Sequence, residues 1–330
     1  MNKIRFLLIV LSVFLLYGCN DNNVEQDESG VGSNIIVQEE NLDGKFTVSE
    51  VVEYLCSEKV KDREYNKEGN QKATEYIDEL YKQLNLEFVF GKSYLDNFSY
   101  DGRNISNVIG KISGNDSSTA IILTAHFDAW FNGAVDNASG VATVLEIAKL
   151  LEDTSKKESL NYDVIFLMTN GEMALFAGSR DFVTKLEQLQ YQNIFNINID
   201  CVGMKDSYNS NPLGLKTLSR ISESQILYSG IKEIFNNNNI DFVDDYPTEK
   251  AKIAFEQNMG VSDYFAFEEN DYPNIHICQQ GISEFILNEK DTPELLDYKK
   301  IEKLAYVLSI YIKGHRPRTR LQPEHLRMGY

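Results

Sequence analysis

The run Thr124-Ala125-His126-Phe127-Asp128 ends a short apolar stretch with an imidazole and a carboxylate two residues apart. A histidine leaving the end of a buried strand stands where open α/β sheets present their ligands. Asp128 is close enough in sequence to accept a hydrogen bond from the far side of that imidazole and orient it. Alone, a His-x-Asp pair is as often structural as functional. Here it is followed by Gly133-Ala134-Val135-Asp136-Asn137-Ala138-Ser139-Gly140, a turn that sets a second carboxylate just before a helix N-terminus. The two segments at this short spacing are a far more specific signal than either half.

The elements around them must bring those groups together. Ala120–Ala125 reads as a buried strand, and Ser139–Leu151 as a helix with Val141, Val144, Leu145, Ile147, Ala148 and Leu151 on one broad stripe. Tyr162–Met168, Ile194–Ile199 and Asn274–Cys278 read as further buried strands, and Asn107–Ile112 as another. Helices are expected after the capping box Thr47-Val48-Ser49-Glu50, over Lys67–Leu84, over Gly178–Leu189, near Glu223–Phe235 and over Leu295–Ile312. Strands alternating with helices imply an α/β class, its sheet covered on both faces. Residues 203–260 fit this alternation less well and are expected to form a lid or pocket wall, with Asn236–Asn239 as a loop.

The N-terminus reads as an address. Lys3 and Arg5 precede an apolar run from Phe6 to Tyr17, which Gly18-Cys19 closes. That run is too short for the roughly 20 residues of a membrane-spanning helix, and its layout is that of a signal peptide. A cysteine after a small residue resembles the lipobox of bacterial lipoproteins. Residues 1–18 are therefore expected to be removed, Cys19 lipidated, and the protein held at the bacterial cell envelope outside the cytoplasm. Residues 19–42 are polar and acidic, as befits a tether. Residues 43–313 form one domain, and the basic residues 314–330 form a tail with little to order it.

The formal charge is −18, and losing Lys3 and Arg5 takes it to −20. Such acidity disfavours nucleic acid as a partner. With Cys19 lipidated, Cys56, Cys201 and Cys278 remain, an odd number at wide spacing that makes neither a disulfide framework nor a CxxC zinc motif.

The pair of motifs around His126 and Asp136 resembles the zinc aminopeptidases of family M28, with the related glutamate carboxypeptidases and glutaminyl cyclases. Further landmarks are Arg63, Glu68-Gly69-Asn70, Asn107-Val108-Ile109-Gly110, Asn170-Gly171-Glu172-Met173, Gly178-Ser179-Arg180, Asn198-Ile199-Asp200, Ser262-Asp263-Tyr264 and Glu289-Lys290-Asp291-Thr292. The resemblance implies a zinc-exopeptidase-like fold, a three-layer α/β/α sandwich on a mixed, largely parallel sheet. It also implies two zinc ions side by side, bridged by one carboxylate, with a hydrolytic water between them. Asp136 matches the bridging position. His126 and Asp200 match the other ligands of one metal, and Glu172 matches the general base. Without the resemblance, Glu172 and Asp200 read more simply as solvated acids at strand ends.

Two ligand positions of the other metal are altered. Met173 stands where the family has a glutamate, and Leu287 where it has a histidine. A thioether is a poor substitute for a carboxylate on zinc, and leucine has no donor. His276, between Ile275 and Ile277, reads as a core histidine, and His315 and His325 fall in the tail. One metal thus keeps a complete set, His126, Asp136 and Asp200. The expected activity is a membrane-anchored metallo-exopeptidase of aminopeptidase type, acting on peptide or protein N-termini. The alternative is an inactive pseudo-peptidase that binds peptides or partners. A glutaminyl cyclase would hold its single zinc at Asp136, Met173 and Leu287, of which only Asp136 survives.

Overall fold

The computed structural model describes residues 45–314. The expected signal peptide, the whole of the tether with Cys19, and residues 315–330 of the tail with His315 and His325 lie outside the described residues. Thr47 begins the first helix, α1 (Val48–Leu55), and the capping box is formed: its hydroxyl accepts from the Glu50 amide while Glu50 accepts from the Thr47 amide. Helix α2 (Glu68–Gln83) follows, burying Ala73, Ile77, Leu80 and Tyr81 on one side. Strands β1 (Glu87–Phe88), β2 (Leu95–Tyr100), β3 (Arg103–Ile112) and β4 (Gly114–His126) come next. A right-handed sequence of crossovers is not needed for the first three, which pair antiparallel on and beside β3.

Helix α3 (Ser139–Ser155) joins β4 to its parallel neighbour β5 (Leu160–Thr169). Helix α4 (Ala177–Lys185), extended by a 3-10 turn over Leu186–Leu189, leads to β6 (Asn193–Ile199) on the other side of β4. The chain therefore reverses its direction of travel through the sheet at β4, and such a switch point opens a crevice beyond the strand ends. Strand β7 (Leu213–Gly214), helix α5 (Ser224–Asn237), strand β8 (Phe242–Val243) and helices α6 (Glu249–Glu256) and α7 (Tyr264–Glu268) precede β9 (Asn274–Gln279). Helix α8 (Tyr298–Gly314) closes the described chain.

The nine strands form one mixed sheet in the order β1-β3-β5-β4-β6-β9-β7-β8, with β2 also on β3. Parallel pairing is centred on β5, β4, β6 and β9, while β3 and β7 run antiparallel to their inner neighbours. The sheet is thus less parallel than the alternation of strands and helices suggests. Much of 203–260 joins the β9 edge: β7 and β8 extend the sheet, and Leu227, Ile231 and Phe235 of α5 enter the main core. The Asn run is partly helical, since α5 continues through Asn237.

Strand alternation sorts the core into two layers. Ile121, Leu123 and Ala125 pack with α1, α2, α3, α5 and α8, while Ala120 and Ile122 pack with Phe182 of α4 and Phe267 of α7. Leaving a near-continuous apolar run between two helical layers is what a doubly covered sheet requires.

One buried side chain ties the first helix to the loop after β4. Arg63 is fully buried and donates to the carbonyls of Leu55, Phe127, Asn132 and Gly133 at 2.5–2.9 Å. A planar fork with several donors suits this task, and a lysine ammonium does not. Arg63→Met should lower the unfolding free energy in urea by roughly 3–5 kcal/mol, the range for breaking a buried charged network. A loss under about 1 kcal/mol would show that the loop is held by something else.

Candidate metal centre and active site

His126 is the last residue of β4, and Asp200 directly follows β6, so both leave C-terminal strand ends at the switch point. The His126 Nδ1 lies 3.0 Å from the main-chain oxygen of Asp128. A carbonyl only accepts, so Nδ1 carries the proton and Nε2 presents its lone pair. That Nε2 lies 3.1 Å from Asp136 Oδ1 and 3.4 Å from Asp200 Oδ1. It has no hydrogen-bond partner, although it is buried.

Asp136 is positioned by the turn between β4 and α3. Gly133 holds φ 56° there, and a Cβ on it would come within 2.3 Å of the Ala129 Cβ. The Asp291 carboxylate accepts from the amides of Val135 (2.5 Å) and Asp136 (3.1 Å). Asn137 then bridges to β6: its amide group donates to Ile199 O, and its Oδ1 accepts from the amides of Gly140 and Cys201. A Cβ at Gly140 would fall 2.3 Å from Asn137 Oδ1 and 2.5 Å from Ile199 O, so only glycine lets α3 start this close to the Asp200 strand.

Asp128 acts differently from the expectation. Its carboxylate is 3.8 Å from the imidazole, and it is the backbone carbonyl that holds Nδ1. The carboxylate accepts instead from the amides of Glu172 (3.0 Å) and Met173 (3.2 Å). Asp128 therefore fixes the turn after β5 that carries Glu172. The reason is reach: a residue two positions beyond His126 has left the strand, and its side chain meets the neighbouring loop.

Glu172 is buried, and burial pushes its carboxyl well above the ordinary range, reinforced by Asp263, Asp136 and Asp200 and opposed by His126. Burial opposes charging of His126, yet the close Asp136 and Asp200 carboxylates, with the charge of Glu172, raise its pKa well above the usual imidazole value. Burial works the other way on Asp200, but His126 holds its carboxyl well below the usual range. Among the described residues, His126, Asp136 and Asp200 are the one group of three potential donors whose ligand atoms all lie within 4.8 Å of one another. One imidazole nitrogen and two carboxylate oxygens are a suitable donor set for catalytic zinc. The orphaned Nε2 between two carboxylates is what such an ion would satisfy, so the residues fit it.

The altered positions add no donor to this group. Met173 is half-buried after Glu172, and Leu287 is 36% exposed. His276 is a core residue: its Nδ1 accepts from the Asn198 side-chain amide at 2.9 Å, and its ring packs on Tyr264. Two functional neighbours were visible in the sequence only as landmarks. Asp291 braces the Asp136 loop, and burial lifts its carboxyl to about 7. Asp263 is fully buried and accepts from the hydroxyls of Thr169 (2.5 Å) and Ser179 (2.6 Å).

Burial lifts the Asp263 carboxyl to about 6, against hydrogen bonds from Ser179 and Thr169 that lower it. The unfolded chain loses the same proton near pH 3.9. The folded state thus holds the extra proton, and this contribution is complete below about pH 4 and lost as the pH rises through about 6. Asp263→Asn removes it while keeping the shape. Relative to that variant, the metal-free wild type should lose about 2 kcal/mol of urea-measured stability between about pH 4 and about pH 7. Parallel pH dependences for the two proteins would refute this.

The description "Peptidase family M28" matches residues 107–312. A glutamate carboxypeptidase 2 homolog of Caenorhabditis elegans is 34% identical over 104 residues, covering 30% of this chain and 14% of that protein. The aligned chain thus spans only about a seventh of that relative. The LapA aminopeptidase of Legionella pneumophila has a similar fold, with a TM-score of 0.64 at 18% identity over 82% of this chain and 72% of that one. The glutaminyl cyclase of Fimbriiglobus ruber superposes equally well, with a TM-score of 0.64 at 18% identity over 82% of this chain and 97% of that one. With the strand-end donors assembled and the match running from β3 to α8, the chain belongs to peptidase family M28.

Proposed function

We propose that this protein is a metallo-exopeptidase of aminopeptidase type that works with one zinc ion, held by His126, Asp136 and Asp200. The observation that carries this reading is the convergence of those three donors around an unpartnered His126 Nε2, with the buried Glu172 beside them. Bound zinc would supply Lewis acidity for the scissile carbonyl and for a hydrolytic water. The chain's own residues do the rest. The Asp128 carbonyl keeps His126 in the tautomer that can ligate. The Asp128 carboxylate and the Asp291 carboxylate fix the loops that carry Glu172 and Asp136. Glu172, made basic by burial among acids, takes the proton from the water and returns it to the leaving amine.

The acidic walls also favour a substrate end that is cationic, as a free peptide N-terminus is. We further propose that the protein sits in the bacterial envelope, anchored through Cys19 and reached by peptides outside the cytoplasm. Replacing Cys19 should release it from membranes into the soluble fraction.

The pseudo-peptidase reading draws on Met173 and Leu287, which add no donor, so that a second metal would have no complete set among the described residues. The deciding experiment is metal content by mass spectrometry on protein purified without chelator, followed by hydrolysis of aminoacyl peptides. One zinc per chain with hydrolysis supports the enzyme. No zinc after soaking, and no hydrolysis, supports the pseudo-peptidase.

A further inference from the structure

Cys56, Cys201 and Cys278 are free thiols, and all three are buried. Cys56 ends α1 beside Arg63. The other two lie far apart in sequence but on neighbouring strands. The Asp200 amide donates to the Ile277 carbonyl, and the Gln279 amide donates to the Cys201 carbonyl, both at 3.0 Å. Those bonds bracket Cys278 and set Cys201 across from it. Neighbouring strands lie about 4.8 Å apart, inside the roughly 4.4–6.8 Å that separates the α-carbons of a disulfide. Both side chains enter the main core, and each thiol meets the other there.

Cys201 also stands next to a metal-site residue. Its thiol donates to Asp200 Oδ1 at 3.0 Å. That oxygen is the one that faces His126 Nε2 at 3.4 Å. Cys201 is thus a positioning residue for Asp200, and its sulfur touches both the donor group and a second thiol. A sulfur held in a disulfide has no proton to donate, so closing the pair would leave Asp200 without this bond.

We propose that Cys201 and Cys278 are an oxidisable dithiol, closed by an external disulfide, whose closure takes the thiol bond away from Asp200 and loosens the zinc site. One cysteine sulfur attacks a sulfur of the external disulfide RSSR and releases the first RSH, leaving a mixed disulfide. The second cysteine sulfur attacks the protein sulfur of that mixed disulfide and releases the second RSH. The two thiol protons and two electrons leave with the two RSH, and one Cys201–Cys278 bond remains. Disulfides form and persist outside the cytoplasm, where this chain is proposed to sit. The bridge stands on the sheet geometry alone, whereas its effect on the metal rests on the zinc reading.

The test uses the full chain in detergent, treated with 2-hydroxyethyl disulfide, then alkylated and digested under denaturing conditions. Mass spectrometry should find the Cys201 and Cys278 peptides joined and lighter by the two thiol hydrogens, with Cys56 alkylated. The oxidised chain should bind zinc about 10-fold to 100-fold more weakly than the reduced one, the range for losing an outer partner of a metal ligand. Reduction, with the reductant then removed, should restore the affinity. Cys278→Ala cannot close the bridge and should keep its zinc affinity through the same treatment. Cys56→Ser should follow the wild type, which keeps the test decisive if Cys278→Ala fails to fold. Alkylated Cys201 and Cys278 after treatment, mixed disulfides alone, or a bridge to Cys56 would overturn the dithiol. A joined pair with unchanged zinc affinity would overturn its link to Asp200. If the reduced chain binds no zinc, the zinc reading fails separately, and the joined peptides still uphold the bridge.

Discussion

Replacing His126 by alanine should strip the protein of zinc and abolish hydrolysis together. The imidazole supplies the one nitrogen among three donors that lie within 4.8 Å. Its removal leaves Asp136 and Asp200 facing each other across a gap, two oxygens where a catalytic site normally needs three protein ligands. The loss should exceed the roughly 100-fold that removing an outer hydrogen-bond partner of a metal ligand can cost. Metal per chain is the first readout, at one for the wild type and none for the variant. Melting temperature is the second. A ligand at about 100 times its dissociation constant stabilises the folded state by about 2.7 kcal/mol. Chelator should therefore lower the wild-type melting temperature and leave that of His126→Ala unchanged. Stoichiometric zinc in the variant would place the metal elsewhere, and two zinc ions in the wild type would mean donors beyond this triad.

The central sheet and its main helices were legible because their apolar periods are long. Ser139–Ser155 and Leu160–Thr169 differ from the expected spans by a few residues at their ends. The short outer strands were not legible, since β1, β7 and β8 are two residues each and carry too little pattern to read. At the site, His126 and Asp136 could be found from type and spacing, because one ends a buried strand and the other stands in the turn just before the next helix. Asp200 and Glu172 could be found through the resemblance alone; locally each is one acid after an apolar run. Asp128 does face the His126 imidazole, through its main-chain oxygen, but sequence distance does not say which loop its carboxylate will meet. Asn137, Asp263 and Asp291 act across 60 residues or more, through Ile199 and Cys201, Thr169, and Val135 and Asp136. No local pattern carries such pairings.

Met173 and Leu287 bring no carboxylate or imidazole to the site, so its chemistry falls on the remaining residues. Burial, then the charges of Asp263, Asp136 and Asp200, raise the Glu172 carboxyl against the pull of His126. A carboxylate in that position is expensive to keep ionised. It is retained here beside a complete donor triad, and the backbone of its turn is held by Asp128. Structure spent on orienting a costly group is the physical case for catalysis over a vestigial pocket.

Glu172→Gln separates those two readings most sharply. The substitution preserves shape and leaves the amide bond to Asp128 untouched, because that bond is made by the backbone. His126, Asp136 and Asp200 stay in place, so zinc content should remain at one per chain. Hydrolysis should fall by about 10²–10⁴-fold, the usual contribution of a general acid–base. The wild type should show an acidic limb in kcat/KM from ionisation of this carboxyl, and the residual activity of the variant should lose that limb. Removing a buried ionisable group should at the same time raise the melting temperature, as happens where function is held at the expense of stability. Full metal, lost turnover and a gain in stability would together identify Glu172 as the base. A variant that hydrolyses peptides as the wild type does would exclude it. If neither protein turns over and the variant is merely more stable, Glu172 is a buried charge without catalytic use, and the chain is a peptidase fold turned to binding.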